Sequence, residues 1–96
     1  MTTFFVSTVT VKDKEKFQDY AKRAAETFAA YGGEPVLRGQ LDTVLAGAAD
    51  HRAVGIVRFP DREALAAWYG SDAYRALIPL RDEAADMTLV AYSVPT

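Results

Sequence analysis

Two stretches near the middle and end of the chain are apolar on both faces, and that constrains the fold more than any other feature. Arg52 to Phe59 reads RAVGIVRF and Met87 to Val94 reads MTLVAYSV, both rich in β-branched and aromatic residues, as strands are. Side chains alternate across a strand, so Ala53, Val57 and Phe59 point one way while Val54 and Ile56 point the other. In the later stretch Met87, Leu89 and Ala91 oppose Val90, Tyr92 and Val94. A sheet with one wet face alternates apolar with polar residues, and these segments do not. Something must cover the second face. With 96 residues the chain makes one domain over 1–96 with a thin core, to which a second copy would add cover. The expected partner is the same surface of another copy around a two-fold axis, a homodimer; a ligand or another protein is the alternative.

The remaining elements follow from local signals. Thr3 to Val11 (TFFVSTVTV) reads as the first strand. Asp13 suits a helix cap, and Phe17, Tyr20, Ala21, Ala24, Phe28 and Tyr31 form an apolar stripe that ends at Gly32-Gly33. A second strand is expected in two halves, Pro35 to Arg38 and Leu41 to Leu45, with a bulge or bend at Gly39-Gln40. Gly47 to Asp50 reads as a turn. Asp61 caps a short helix holding Leu65, Trp68 and Tyr69, and Ser71 caps another from Asp72 to about Ala85, which Pro79 should kink or split. The resulting βαββαβ order predicts a four-stranded antiparallel sheet with helices on one face, an α+β domain.

Composition removes several classes of function. The acidic and basic residues are interspersed, the net charge is −2 and the pI is near 5.3, so no basic stripe exists for nucleic acid. There is no cysteine, which excludes disulfides, thiolate catalysis and Cys-based zinc sites. The first residues lack the charged and apolar regions of a signal peptide, and no segment approaches a membrane span. The expectation is a soluble, cytoplasmic protein with no membrane partner.

The segments Tyr31-Gly32-Gly33, Arg38-Gly39, Phe59-Pro60, Ala67-Trp68-Tyr69, Ser71, Tyr74 and Pro79-Leu80-Arg81 occur in this order over essentially the whole chain. Together they resemble the bacterial family known as domain of unknown function 1330. That resemblance implies a ferredoxin-like fold of the dimeric α/β-barrel group, which includes cofactor-independent monooxygenases, isomerases and cyclases, and haem enzymes. The fold alone selects none of these reactions. Two positions depart from the family pattern: its Ser-Pro-Glu-Tyr is Ser71-Asp72-Ala73-Tyr74 here, and its second glycine after Arg-Gly is Gln40.

Arg38, Tyr74 and Arg81 are the candidate catalytic residues. Two guanidiniums converging on one pocket would hold a carboxylate or enolate, with Tyr74 or Tyr20 orienting it. The alternative is that each arginine pairs with an acid such as Asp42 or Asp82, or faces water. Tyr20, Trp68, Tyr69 and Tyr74 would line a cavity for a flat substrate, or simply fill the core. Ser71 fits a helix cap better than a nucleophile. His51, the sole histidine, is a loop residue that could serve as a general base. No ligand spacing supports a metal or haem, so no cofactor is expected. The fold group that the resemblance implies, together with these side chains, suggests a cofactor-independent small-molecule enzyme, monooxygenase- or isomerase-like, acting on an aromatic or enolisable substrate. The competing reading is a non-catalytic dimeric module that binds a metabolite or another protein.

Overall fold

A computed structural model describes residues 2–95; the expected domain of 1–96 extends beyond this by Met1 and Thr96, which lie outside the described residues. Strand β1 spans Thr3–Val11 and leads into helix α1, Lys14–Phe28. The Asp13 side chain accepts the Lys16 backbone N–H at 3.0 Å, satisfying one of the donors that a helix start leaves free. A 3-10 turn, Ala29–Tyr31, closes α1, and Gly32 follows at φ 73°, a left-handed conformation that suits glycine.

Strand β2 covers Glu34–Gln40 and β3 Ala53–Phe59. The second half expected for β2, Leu41 to Leu45, is not a strand. Pairing ends where Gln40 meets Ala53, leaving those residues no strand to pair with, and Leu45 is 93% exposed in the connecting loop. The irregularity expected at Gly39-Gln40 lies instead between Pro35 and Leu37, where Val36 is an extra residue in the ladder.

Helix α2, Arg62–Tyr69, is capped by Asp61, whose carboxylate accepts from the Ala64 N–H at 2.8 Å. The segment expected as one helix from Asp72 is two, α3 at Asp72–Arg75 and α4 at Ile78–Ala84. Pro79 lies in the first turn of α4, where its missing N–H has no helical acceptor to lose. Strand β4, Ala85–Ser93, begins two residues ahead of the expected Met87.

The sheet order is β2-β3-β1-β4 and every pairing is antiparallel. This is the ferredoxin-like α+β arrangement that the resemblance implies. One face packs against the helices: Phe5, Val57 and Phe59 from the strands meet Tyr20, Phe28, Trp68 and Tyr74 in a single buried cluster. The other face carries Phe4, Val6, Val54, Ile56, Val90 and Tyr92, with Tyr92 50% exposed and its ring stacked on Phe4. The two-sided apolar pattern is thus real, and the chain itself covers only one side.

The tightest backbone approach is at Gly33, where a methyl group would sit 2.8 Å from the Phe59 ring and 3.0 Å from the Phe28 side chain. Gly33→Ala should therefore destabilise the fold by about 1–3 kcal/mol, as overpacking does. Gly39→Ala, with open space around it, should change stability by less than about 0.5 kcal/mol. Urea unfolding of both variants checks the contrast.

Candidate functional site

A cavity of about 630 Å³ lies between α1 and the sheet, within the size range of small-molecule sites. It exists because small residues face each other there. On α1 the roof is Ala21, Ala24 and Ala25; on the sheet the floor includes Gly55 and Ser7. These floor residues belong to one row across all four strands, Arg38–Gly55–Ser7–Leu89. Gly55 leaves the floor low, and a methyl there would reach 3.0 Å from the Ser7 hydroxyl. Phe17, Phe28 and Trp68 supply aromatic walls. The polar side chains lining the cavity are Ser7, Tyr20, Arg38 and Gln40, with no Asp, Glu, His or Lys among the described lining residues.

Tyr20 stands at the end of a buried relay. The Arg81 Nη1 donates to the Tyr74 hydroxyl at 3.1 Å, and the Tyr74 and Tyr20 hydroxyls are 2.8 Å apart. An arginine can only donate. The Tyr74 oxygen accepts from Arg81, and either hydroxyl can donate across the contact between Tyr74 and Tyr20. The Tyr20 hydroxyl also lies 4.0 Å from the Met87 sulfur, a weak acceptor at the cavity wall. The result is a coupled pair of phenols at the cavity wall with a cation at its far end.

Burial raises the Tyr20 pKa well above the ordinary phenol value, and the charge and hydrogen bond of Tyr74 add to this against an opposing pull from Arg81. Tyr20 is therefore a neutral phenol that donates, not a phenolate base. Burial alone would lower the Arg81 pKa, but the hydrogen bonds to Tyr69 and Tyr74 outweigh it and hold the guanidinium above its usual value. Arg81 stays a cation throughout.

The candidate residues fall in different places. Tyr74 is 0% exposed and does not line the cavity; it joins Arg81 to Tyr20. Arg81 also contacts Tyr69 at 3.4 Å and Asp82 at 3.3 Å, so it has the acidic neighbour that the alternative reading named. Arg38 lines the cavity from β2, and the two guanidiniums do not converge. Among the described residues no acid lies within ion-pair distance of Arg38. Trp68 walls the cavity, while Tyr69 packs beside Trp68 and Tyr74 at the surface. The Ser71 hydroxyl accepts from the Tyr74 N–H at 3.2 Å and donates to the Trp68 carbonyl at 2.7 Å, which makes it a helix cap. His51 is on the uncovered sheet face, with one ring nitrogen 2.9 Å from the Thr10 hydroxyl and the other 3.3 Å from that of Thr88. Among the described residues no cluster of three potential metal ligands occurs.

Gly55, Ser7 and the roof alanines were not among the expected site residues, and Gln40 stood out only as a departure from the family pattern. A signal for the first existed: a glycine inside a strand marks a bulge or a close approach. Three alanines grouped on one helix signal little by themselves.

The model of the family described as "Domain of unknown function (DUF1330)" matches residues 2–94. The chain belongs to that family. Among curated proteins none is significantly similar. The fold is shared with solved structures at low identity. A protein of unknown function from Rhodopseudomonas palustris superposes with a TM-score of 0.83 at 21% identity, covering 99% of this chain and 83% of that one. SnoaB, a cofactor-independent oxygenase from Streptomyces nogalater, gives 0.72 at 18% identity over 99% and 94%. A dimeric ferredoxin-like protein of unknown function from Thermobifida fusca gives 0.68 at 13% over 98% and 92%. At such identities these structures share the fold alone, and the chemistry must come from this chain's own residues.

The raised Tyr20 pKa fixes a sign for alkaline behaviour. The folded state holds that proton to a higher pH than the unfolded chain does, so its contribution to stability is intact below about pH 10 and is lost as pH rises above it. Unfolding free energy measured between pH 9 and pH 12 should fall less steeply in Tyr20→Phe than in the parent, by up to one proton's worth of slope.

Proposed function

We propose that the cavity binds a flat aromatic or enolisable small molecule, with Tyr20 donating a hydrogen bond to its oxygen. The observation that carries this reading is the cavity with aromatic walls, beside which the Tyr20 hydroxyl is coupled through Tyr74 to the Arg81 cation. A donor so placed would stabilise negative charge that develops on a carbonyl or phenol oxygen. The aromatic walls would hold the ring and exclude water. The reaction class this supports is a cofactor-independent, monooxygenase- or isomerase-like conversion, and the shared fold with SnoaB favours the same direction. Arg81 and Tyr74 act behind Tyr20 as positioning residues.

One observation favours a second reading, a binding module without turnover. Among the described residues that line the cavity none is an Asp, Glu, His or Lys, so an obvious general base is missing. A thermal-shift screen with aromatic acids and aromatic ketones, followed by mass spectrometry of the incubated hits, separates the two. Product formation supports the enzyme, and stabilisation without product supports the binder. Tyr20→Phe should weaken binding of ketone hits about tenfold, the scale of one hydrogen bond polarised by a charge. Unchanged affinity in that variant would remove the donor role.

The uncovered sheet face fits a second copy, and we read the protein as a homodimer. The dimeric relative from Thermobifida fusca supports this. Light scattering after size exclusion at micromolar concentration should give twice the chain mass, and Tyr92→Lys, which places a charge in that face, should shift it to the monomer. A monomeric parent protein would refute the dimer.

A further inference from the structure

We propose that Arg38 is an anion anchor at the β2 side of the cavity, so that the ligand is an elongated, flat carboxylate reaching from Arg38 towards Tyr20. This deepens the small-molecule reading and rests on it. The first observation is the bulge at Val36. Pro35 pairs with Val57, but Leu37 pairs with Ile56 and Arg38 with Gly55. In an unbroken ladder counted from Pro35, Leu37 would face Gly55. The leucine would then point at the cavity and Arg38 at the apolar outer face, because a one-residue slip exchanges the faces of a strand. The extra residue reverses this, and bulges often re-aim a side chain beside a site.

The second observation is the charge around Arg38. Its nearest candidate partner in sequence, Asp42, makes no ion pair with it, and Glu34 at the start of the same strand is bound to Arg58 at 2.7 Å. Among the described lining residues none is acidic, so nothing in the cavity competes with or repels an incoming carboxylate. A guanidinium matches that group with two parallel N–H donors.

The third observation sets the length of the ligand. Arg38 is on β2, while Tyr20 points to Met87 on β4. Three inter-strand steps of about 4.8 Å separate these strands, about 14 Å across the sheet. A single ring under Tyr20 leaves Arg38 unreached. Two fused rings with oxygen-bearing groups at opposite ends span the gap once the arginine side chain leans in.

A simpler account of the bulge is that it only keeps a charge off the outer face, and binding measurements separate the two. The probes are 6-acetyl-2-naphthoic acid, its carboxamide, and neutral 2-acetylnaphthalene, read by quenching of Trp68, the sole tryptophan and a wall of the cavity. The acid should bind the parent protein at least about tenfold more tightly than the amide. Arg38→Gln should abolish that preference and leave amide affinity within about twofold, while Arg38→Lys should keep part of it. Equal binding of acid and amide to the parent overturns the anchor but leaves the cavity reading standing. A preference that survives Arg38→Gln overturns it as well, by locating the anion elsewhere. If none of the three probes quenches Trp68 in the parent, the anchor and the small-molecule reading both fall. The acid-to-amide ratio of the parent needs no variant to fold.

Discussion

The four nearest rings around the indole of Trp68 are Tyr74 at 4.4 Å between centroids, Phe5 at 5.1 Å, and Phe28 and Phe59 both at 5.4 Å. They come from α3, β1, α1 and β3, so this side chain is where helices and sheet are joined. Its N–H would be costly to bury unpaired. It donates to the Thr27 hydroxyl at 2.8 Å, which in turn donates to the Ala24 carbonyl at 2.6 Å. That chain sets how α2 meets α1. Trp68 also walls the cavity, so the packing that stabilises the domain and the shape that defines the site share one residue. The empty space persists because this aromatic column props α1 away from a floor of Gly55 and Ser7.

The polar relay depends on the same arrangement from the other side. Tyr20 and Tyr74 are buried, and their hydroxyls satisfy each other. The Arg81 side chain, only 16% exposed, adds a fixed positive charge to the pair that two tyrosines alone would lack. Arg38 contributes nothing to the relay. It belongs to a strand whose own side chains are all exposed, and its orientation comes from backbone register.

The contrast explains what could be read from the chain. Asp13, Asp61 and Ser71 were legible as caps because capping depends on residues within three positions. Pro79 marked the division between α3 and α4 for the same local reason. The two-sided apolar strands predicted a half-covered sheet, since alternation is also local. Leu41 to Leu45 misled because an apolar, β-prone run forms a strand only when another strand lies beside it, and β3 starts too late to provide one. Tyr20 meeting Tyr74, and Arg81 reaching both, required the relative placement of α1, α3 and α4. No periodicity encodes that. The placement of Arg38 on the cavity side turned on one extra residue at Val36, which leaves no mark in composition.

That extra residue has a consequence for how the chain behaves at high concentration. β2 is an edge strand, and its outer rim could template the growth of the sheet by another chain's strand. Pro35 has no N–H to offer there, and the bulge next to it throws the following donors and acceptors out of step. A newcomer pairing with Leu37 to Gln40 would lose register on reaching Val36. The edge that carries Arg38 is thus also a poor seed for fibrils.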